Sequence, residues 1–114
     1  MAELKITEDS LQQTVVDAAW IGGWRVAHWA TARTKESWRT PCRYDGKGFP
    51  DLILSRDRVI FAELKSSTGR MSVDQTEWLR ALTAAGMDAR VIWPGNLDAL
   101  TTELLTPPPK GWRR

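Results

Sequence analysis

Two short apolar runs, Leu52-Ile53-Leu54 and Val59-Ile60-Phe61-Ala62, are separated only by the polar Ser55-Arg56-Asp57-Arg58. Runs of this length around a polar turn predict an antiparallel hairpin. Nearly every position is apolar, so the pair is expected in the middle of a sheet covered on both faces. Elsewhere the period is helical. Leu11, Val15, Ala18 and Ile21 form a stripe behind Thr7 as N-cap, with Glu8 and Asp9 in the first turn and Gly22-Gly23 as the stop. Ser72-x-x-Gln75 is a capping box opening a second helix. Trp78, Leu79, Leu82 and Ala85 mark its inward face, and Gly86 closes it.

Residues 24–30 and 88–93 predict two further strands. The second follows a helix, so a crossover should lay it parallel to the strand before that helix. Asn96 caps a short final helix with Leu97, Leu100 and Leu104 inward, stopped by Pro107-Pro108-Pro109. Residues 1–106 then form one domain, and 107–114 a Pro-rich, basic and loose tail. Residues 31–47 show no periodicity and are expected to be a structureless connection, a length that is usually functional.

Charge placement turns this pattern towards chemistry. Asp51 precedes the first hairpin strand, and Glu63 and Lys65 lie at the end of the second. Side chains alternate along a strand, so Glu63 and Lys65 share a face about 6.5–7 Å apart. Asp51 joins them only if it opposes Glu63, which requires an odd number of turn residues; a two-residue turn would send it to the other side. A three-residue turn, Arg56-Asp57-Arg58, is therefore expected, with Asp57 best suited to a left-handed position. Opposed Cβ atoms lie about 5 Å apart, close enough for two carboxylates to share one hard cation. Mg²⁺ takes one or two carboxylates, keeps waters and accepts phosphate oxygens.

Composition narrows the alternatives. With 114 residues the chain holds one core, and its 42% hydrophobic and 26% charged residues are ordinary for a globular protein. A single cysteine, Cys42, excludes an internal disulfide and a cysteine zinc site, and the lone His28 excludes a histidine pair. No apolar run reaches the length of a membrane span and no signal-peptide pattern opens the chain, so the expected compartment is the cytoplasm. The net charge of +2 is gathered between residues 31 and 47. Arg33, Lys35, Arg39, Arg43 and Lys47 stand there against Glu36 and Asp45, with Trp38 and Tyr44 between them. Such a segment beside Asp51 suits a phosphate backbone and unpaired bases, and Arg70 is a further candidate contact. Most of the seven tryptophans are expected in the core or against the sheet.

Pro50-Asp51, with Glu63-Leu64-Lys65 beginning twelve residues after Asp51, resembles the PD-(D/E)xK nuclease signature. Thr7-Glu8, Gly48-Phe49-Pro50-Asp51-Leu52, Gly69-Arg70 and Ser72-Val73-Asp74-Gln75 surround it in an order and spacing similar to the small stand-alone VRR-NUC proteins, replication-repair nucleases related to Holliday junction resolvases. The similarity runs over about residues 7–95. It implies an α/β fold with a restriction-endonuclease-like αβββαβ core, a small mixed sheet flanked by helices. It implies a metal-dependent endonuclease acting on branched or structured DNA. Asp51, Glu63 and the Leu64 carbonyl are then the expected ligands of Mg²⁺, for which Mn²⁺ would substitute, and Lys65 orients water or stabilises charge on the phosphate. Glu8 is expected to complete or support the metal site, and Gln75 to stand near Lys65. A four-way junction needs two symmetric cuts, so a homodimer is expected, without membrane or small-molecule cofactor. The competing expectations are a non-catalytic nucleic-acid-binding module of the same fold and a structural subunit whose carboxylates merely pair with Lys65.

Overall fold

The computed structural model describes residues 6–29, 32–33, 38–39 and 44–114. Helix α1 (Glu8–Ile21) is followed by strands β1 (Arg25–His28), β2 (Ala32–Arg33), β3 (Trp38–Arg39), β4 (Leu52–Ser55) and β5 (Val59–Leu64). Helix α2 (Val73–Ala84), strand β6 (Asp88–Ile92), a 3₁₀ turn at Pro94–Asn96 and helix α3 (Leu97–Leu105) complete the chain. The main sheet has the order β1-β4-β5-β6, antiparallel except for the parallel β5–β6 pair. The hairpin strands are therefore central, as expected, but they are not covered equally on both faces: Ile53 and Phe61 are half-buried and Val59 is exposed. β2 and β3 pair as a separate two-stranded ribbon, so the segment expected to lack structure contains a small hairpin of its own.

Alternation along the central strands divides the two faces. Leu52 and Leu54 of β4 and Ile60, Ala62 and Leu64 of β5 point into a core completed by Leu11, Val15, Ala18 and Ala19 of α1 and Leu97, Leu100 and Leu104 of α3. Thr7 caps α1 by accepting from the Ser10 amide, and Gly22 ends it. α2 starts at the expected capping box, in which Ser72 and Gln75 each accept from the other's backbone N–H. It packs on β6 at the sheet margin and has no fully buried residue. Its expected inward face, including Trp78, Leu79 and Leu82, is accordingly only half-buried. The tryptophans also depart from expectation. Among the tryptophans whose burial is described, Trp24 is buried, Trp20 and Trp29 are exposed, and Trp78, Trp93 and Trp112 are half-buried.

The β4–β5 register pairs Leu52 with Ala62 and Ser55 with Val59, leaving the three-residue turn Arg56-Asp57-Arg58. Asp57 is not left-handed there; among the described residues other than glycine, only Tyr44 has a positive φ. The turn is instead closed by charge. The Asp57 carboxylate accepts from Arg56 Nε at 2.7 Å and from Arg58 Nη1 at 3.0 Å. Both guanidinium groups lie over the Trp24 ring, at 4.5 and 5.0 Å, and the Trp24 indole donates to the Leu104 carbonyl at 2.9 Å. Glu103 of α3 links Arg58 to Arg90 of β6 through three bonds of 2.7–2.8 Å. The tail is docked, not loose: its last residue, Arg114, donates to the Gly23 carbonyl at 3.1 Å.

The loop before β4 is anchored on α2. Trp78 Nε1 donates to the Asp45 carbonyl at 2.8 Å, Phe49 meets the Trp78 ring edge-on at 5.0 Å, and Lys47 Nζ lies 3.6 Å from Asp74. Gly48 makes the approach possible. Its φ is +86°, and a Cβ there would stand 2.6 Å from Asp74 and 2.7 Å from the Gln75 amide.

Two outcomes follow from these contacts. Gly48→Ala combines left-handed strain with a backbone clash and should cost about 2–4 kcal/mol in urea unfolding. Glu103→Gln should cost about 1–2 kcal/mol at neutral pH. Bonding to Arg90, reinforced by Arg58, holds the folded Glu103 at about 2, against an ordinary 4.5. The unfolded chain thus takes up this proton first as pH falls. The contribution is complete above pH 4.5 and lost by about 2, where wild type and variant should converge in unfolding free energy.

Candidate active site

Continuing the hairpin register one step past Leu52 and Ala62 brings Asp51 opposite Glu63. The odd turn thereby places both carboxylates on one face, shared with Lys65. Asp51 is fixed first. Its Oδ2 accepts from the Leu64 N–H at 2.8 Å, while its carbonyl accepts from the Trp29 N–H at 3.2 Å. His28 Nδ1 lies 3.1 Å from that same carbonyl oxygen. The signature proline has a physical role in this arrangement. Leu64 directs its amide towards β4, and the residue opposite it in the ladder is Pro50, which has no N–H to donate. The Leu64 carbonyl thus meets no ladder donor from that strand.

Glu63 is the unusual group. It is 1% exposed, and among the described residues neither carboxylate oxygen has a hydrogen-bond partner. Burial pushes its pKa far above the ordinary carboxylate range, and the facing Asp51 carboxylate pushes it further; Lys65 pulls it partly back. Lys65 is itself only 9% exposed. A buried carboxylate facing another carboxylate is strongly unfavourable unless a cation completes the set. The available donors are two carboxylates and a peptide carbonyl, all oxygen, with neither thiolate nor a pair of imidazoles. That set suits a hard divalent ion.

The remaining candidates sit at different distances from this centre. Glu8, at the first turn of α1, is close enough to sense the pair: partial burial raises its pKa first, then the Asp51 charge, with Lys65 opposing. Among the described residues no three His, Cys, Asp or Glu side chains converge as a metal cluster, while Glu8 stands close enough to interact with the Asp51 and Lys65 charges. Gln75 uses its side-chain carbonyl in the capping box, accepting from the Ser72 N–H at 2.9 Å, and its backbone amide, which donates to Ser72 Oγ, lies where Gly48 approaches α2. Arg33 and Arg39 are in the β2–β3 ribbon, whereas Lys35 and Arg43 lie outside the described residues. Lys47 is paired with Asp74, and Arg70 is exposed just before α2.

Three residues beside the centre escaped the sequence reading. Trp29 and His28 meet at the Asp51 carbonyl, and Phe49 packs edge-on between Trp29, Phe61 and Trp78 at centroid distances of 6.2, 6.1 and 5.0 Å. Alternation along β1 already set Trp29 and Ala27 on one face. What it left open was the strand that β1 joins, and only the pairing with β4 brings that face to Asp51.

The VRR-NUC domain family model matches residues 2–93. No curated protein matches the sequence significantly. The matched span contains the Asp51–Glu63 pair, Lys65, the Gly48 loop and the helix that anchors it. The chain belongs to the VRR-NUC domain family, which points to a nuclease of the PD-(D/E)xK type.

Proposed function

We propose that this protein is a metal-dependent endonuclease that hydrolyses DNA phosphodiester bonds, acting on branched or otherwise structured DNA. The observation that carries the reading is the pair of partnerless Glu63 oxygens, buried opposite Asp51 and two residues from Lys65. A salt-bridge device for Lys65 would leave Glu63 bonded to the lysine, and neither oxygen has such a bond. Asp51, Glu63 and the Leu64 carbonyl would hold Mg²⁺ or Mn²⁺. Such an ion, when bound, neutralises a phosphate oxygen and acidifies a water for in-line attack on phosphorus.

The chain's own groups do the rest. The Leu64 N–H holds Asp51 in place, so that carboxylate is preorganised and does not have to be recruited. Lys65, on the same face as Glu63, donates to the attacking water or to a phosphate oxygen as charge builds there. Glu8 acts from outside the pair through a water. Gln75 fixes the start of α2 against the Gly48 loop and thereby positions Asp51. Exposed basic residues, including Arg70, contact the phosphate backbone. Symmetric cutting of a four-way junction would take a two-fold dimer.

Cleavage of labelled four-way junctions, flaps, single strands and linear duplexes with Mg²⁺, Mn²⁺ or EDTA tests the reading. The wild type should cut with either metal and stop in EDTA. Glu63→Gln should abolish cutting while DNA binding persists, and Lys65→Ala should slow it about 10²–10³-fold. Thermal melting supplies an independent check. Mn²⁺ at a hundredfold excess over its Kd should stabilise the wild type by about 2.7 kcal/mol. Glu63→Gln should lose that gain yet melt no lower than wild type in EDTA. An equal response to Mn²⁺ in both proteins would count against the metal centre.

A further inference from the structure

The pairing of β1 with β4 arranges one sheet face in three rows. Arg25 opposes Ser55, Ala27 opposes Ile53, and the next step brings Trp29 opposite Asp51. Opposed side chains of an antiparallel pair share a face, and by the same register Val59, Phe61 and Glu63 continue these rows on β5. α2 packs at the other side of this sheet, on β6. On the β1 side Arg25, Ala27 and Trp29 are exposed. A surface therefore leads from Trp29 at the carboxylate pair to Arg25 at the turn end of the strands. Asp51 and Ser55 are four residues apart, about 13 Å along the strand.

The far end of that surface is a basic pocket. Arg25, Ser55, Arg56, Trp112, Arg113 and Arg114 line a cavity of about 180 Å³ together with Gly23. Arg56 is neutralised by Asp57, and Arg114 holds the tail to the Gly23 carbonyl. Among the described residues no Asp or Glu side chain lines the cavity, and Arg25, Arg113 and Arg114 take part in no salt bridge with one. Three guanidinium groups, an indole and a hydroxyl around one small cavity complement a phosphate. The near end is different in kind. Trp29 meets Phe49 only edge-on, at 84°, and is 39% exposed beside Asp51. An exposed indole fixed through its own backbone is a stacking platform for a base, and a base can stack there only when it is unpaired.

We infer that the β1–β4 face is the track of a DNA strand, with an unpaired base stacked on Trp29 next to the scissile phosphate and a phosphate further along held by Arg25, Arg113 and Arg114. At about 13 Å the track is a few nucleotides long. The inference rests on the nuclease reading for the location of the scissile bond, and it specifies the substrate: a strand that leaves its duplex at the cleavage site, as at a fork, flap or junction. Arg25 and the arginines of the tail are positioning residues; none of them touches the reacting atoms.

Fluorescence anisotropy of labelled single-stranded, forked and fully paired DNA in EDTA, over a salt series, reads the track separately from chemistry. Arg25→Gln with Arg113→Gln should lower the slope of log K against log salt by about 0.7 per arginine on single strands. In cleavage assays the same double variant should raise KM and leave kcat unchanged. Trp29→Ala should weaken forked and single-stranded DNA by about 5- to 150-fold and leave the paired duplex unaffected. Melting temperatures of both variants should match the wild type, which sets aside misfolding. Cleavage with unchanged slopes and unchanged fork affinity would overturn the track and leave the nuclease intact. Track-dependent binding without cleavage would overturn the nuclease and leave the track. Absence of binding, or a face closed by self-association in sedimentation, would overturn the track.

Discussion

Glu63 sets the terms on which the rest of this molecule is built. A carboxylate with 1% exposure and no donor at either oxygen is unfavourable in isolation, and the facing Asp51 makes it more so. Stability alone would favour a leucine at the end of a central strand. The surrounding structure holds the arrangement through ordinary packing, since β5 is flanked on both sides by strands and its alternate residues are locked into the α1–α3 core. The strain is confined to one strand end, and one hard cation would relieve it.

Three devices keep the site in register, and each acts through the backbone. The Arg56-Asp57-Arg58 turn has an odd length, closed by an ionic clamp over Trp24 where a glycine would otherwise be usual. Pro50 removes a ladder donor opposite Leu64, leaving the Leu64 carbonyl free of the ladder while the Leu64 N–H bonds Asp51. Gly48 lets the incoming loop touch the start of α2. The capping box of α2 is thus more than local helix stabilisation: it fixes the surface against which Asp51 is positioned.

The opposite end of the sheet is bound by charge. Glu103 joins α3, β6 and the β4–β5 turn through Arg90 and Arg58, and Arg114 ties the tail to Gly23 between α1 and β1. Partly buried, bidentate pairs of this kind contribute more than solvated ones because less water competes for them. The architecture thereby separates an acidic, buried end from a basic, clamped turn end, with strands of four to six residues between them.

Much of this was legible in the chain because it depends on short-range rules. Period and capping residues located α1, α2, α3 and the central strands. Parity of side-chain direction fixed the three-residue turn and the meeting of Asp51 with Glu63, since one residue more or less would send a side chain to the other face. Family resemblance, confirmed by the matched domain, named the nuclease type. Tertiary structure decided the rest. A sequence does not state which strand β1 will join, so it could not place Trp29 and His28 at the Asp51 carbonyl or Arg25 beside the tail. Nor did periodicity show that α2 lies at the sheet margin, half-buried, or that a Pro-rich tail would dock; those depend on how much surface remains after the core closes. The β2–β3 ribbon was missed because two-residue strands are too short to carry a period.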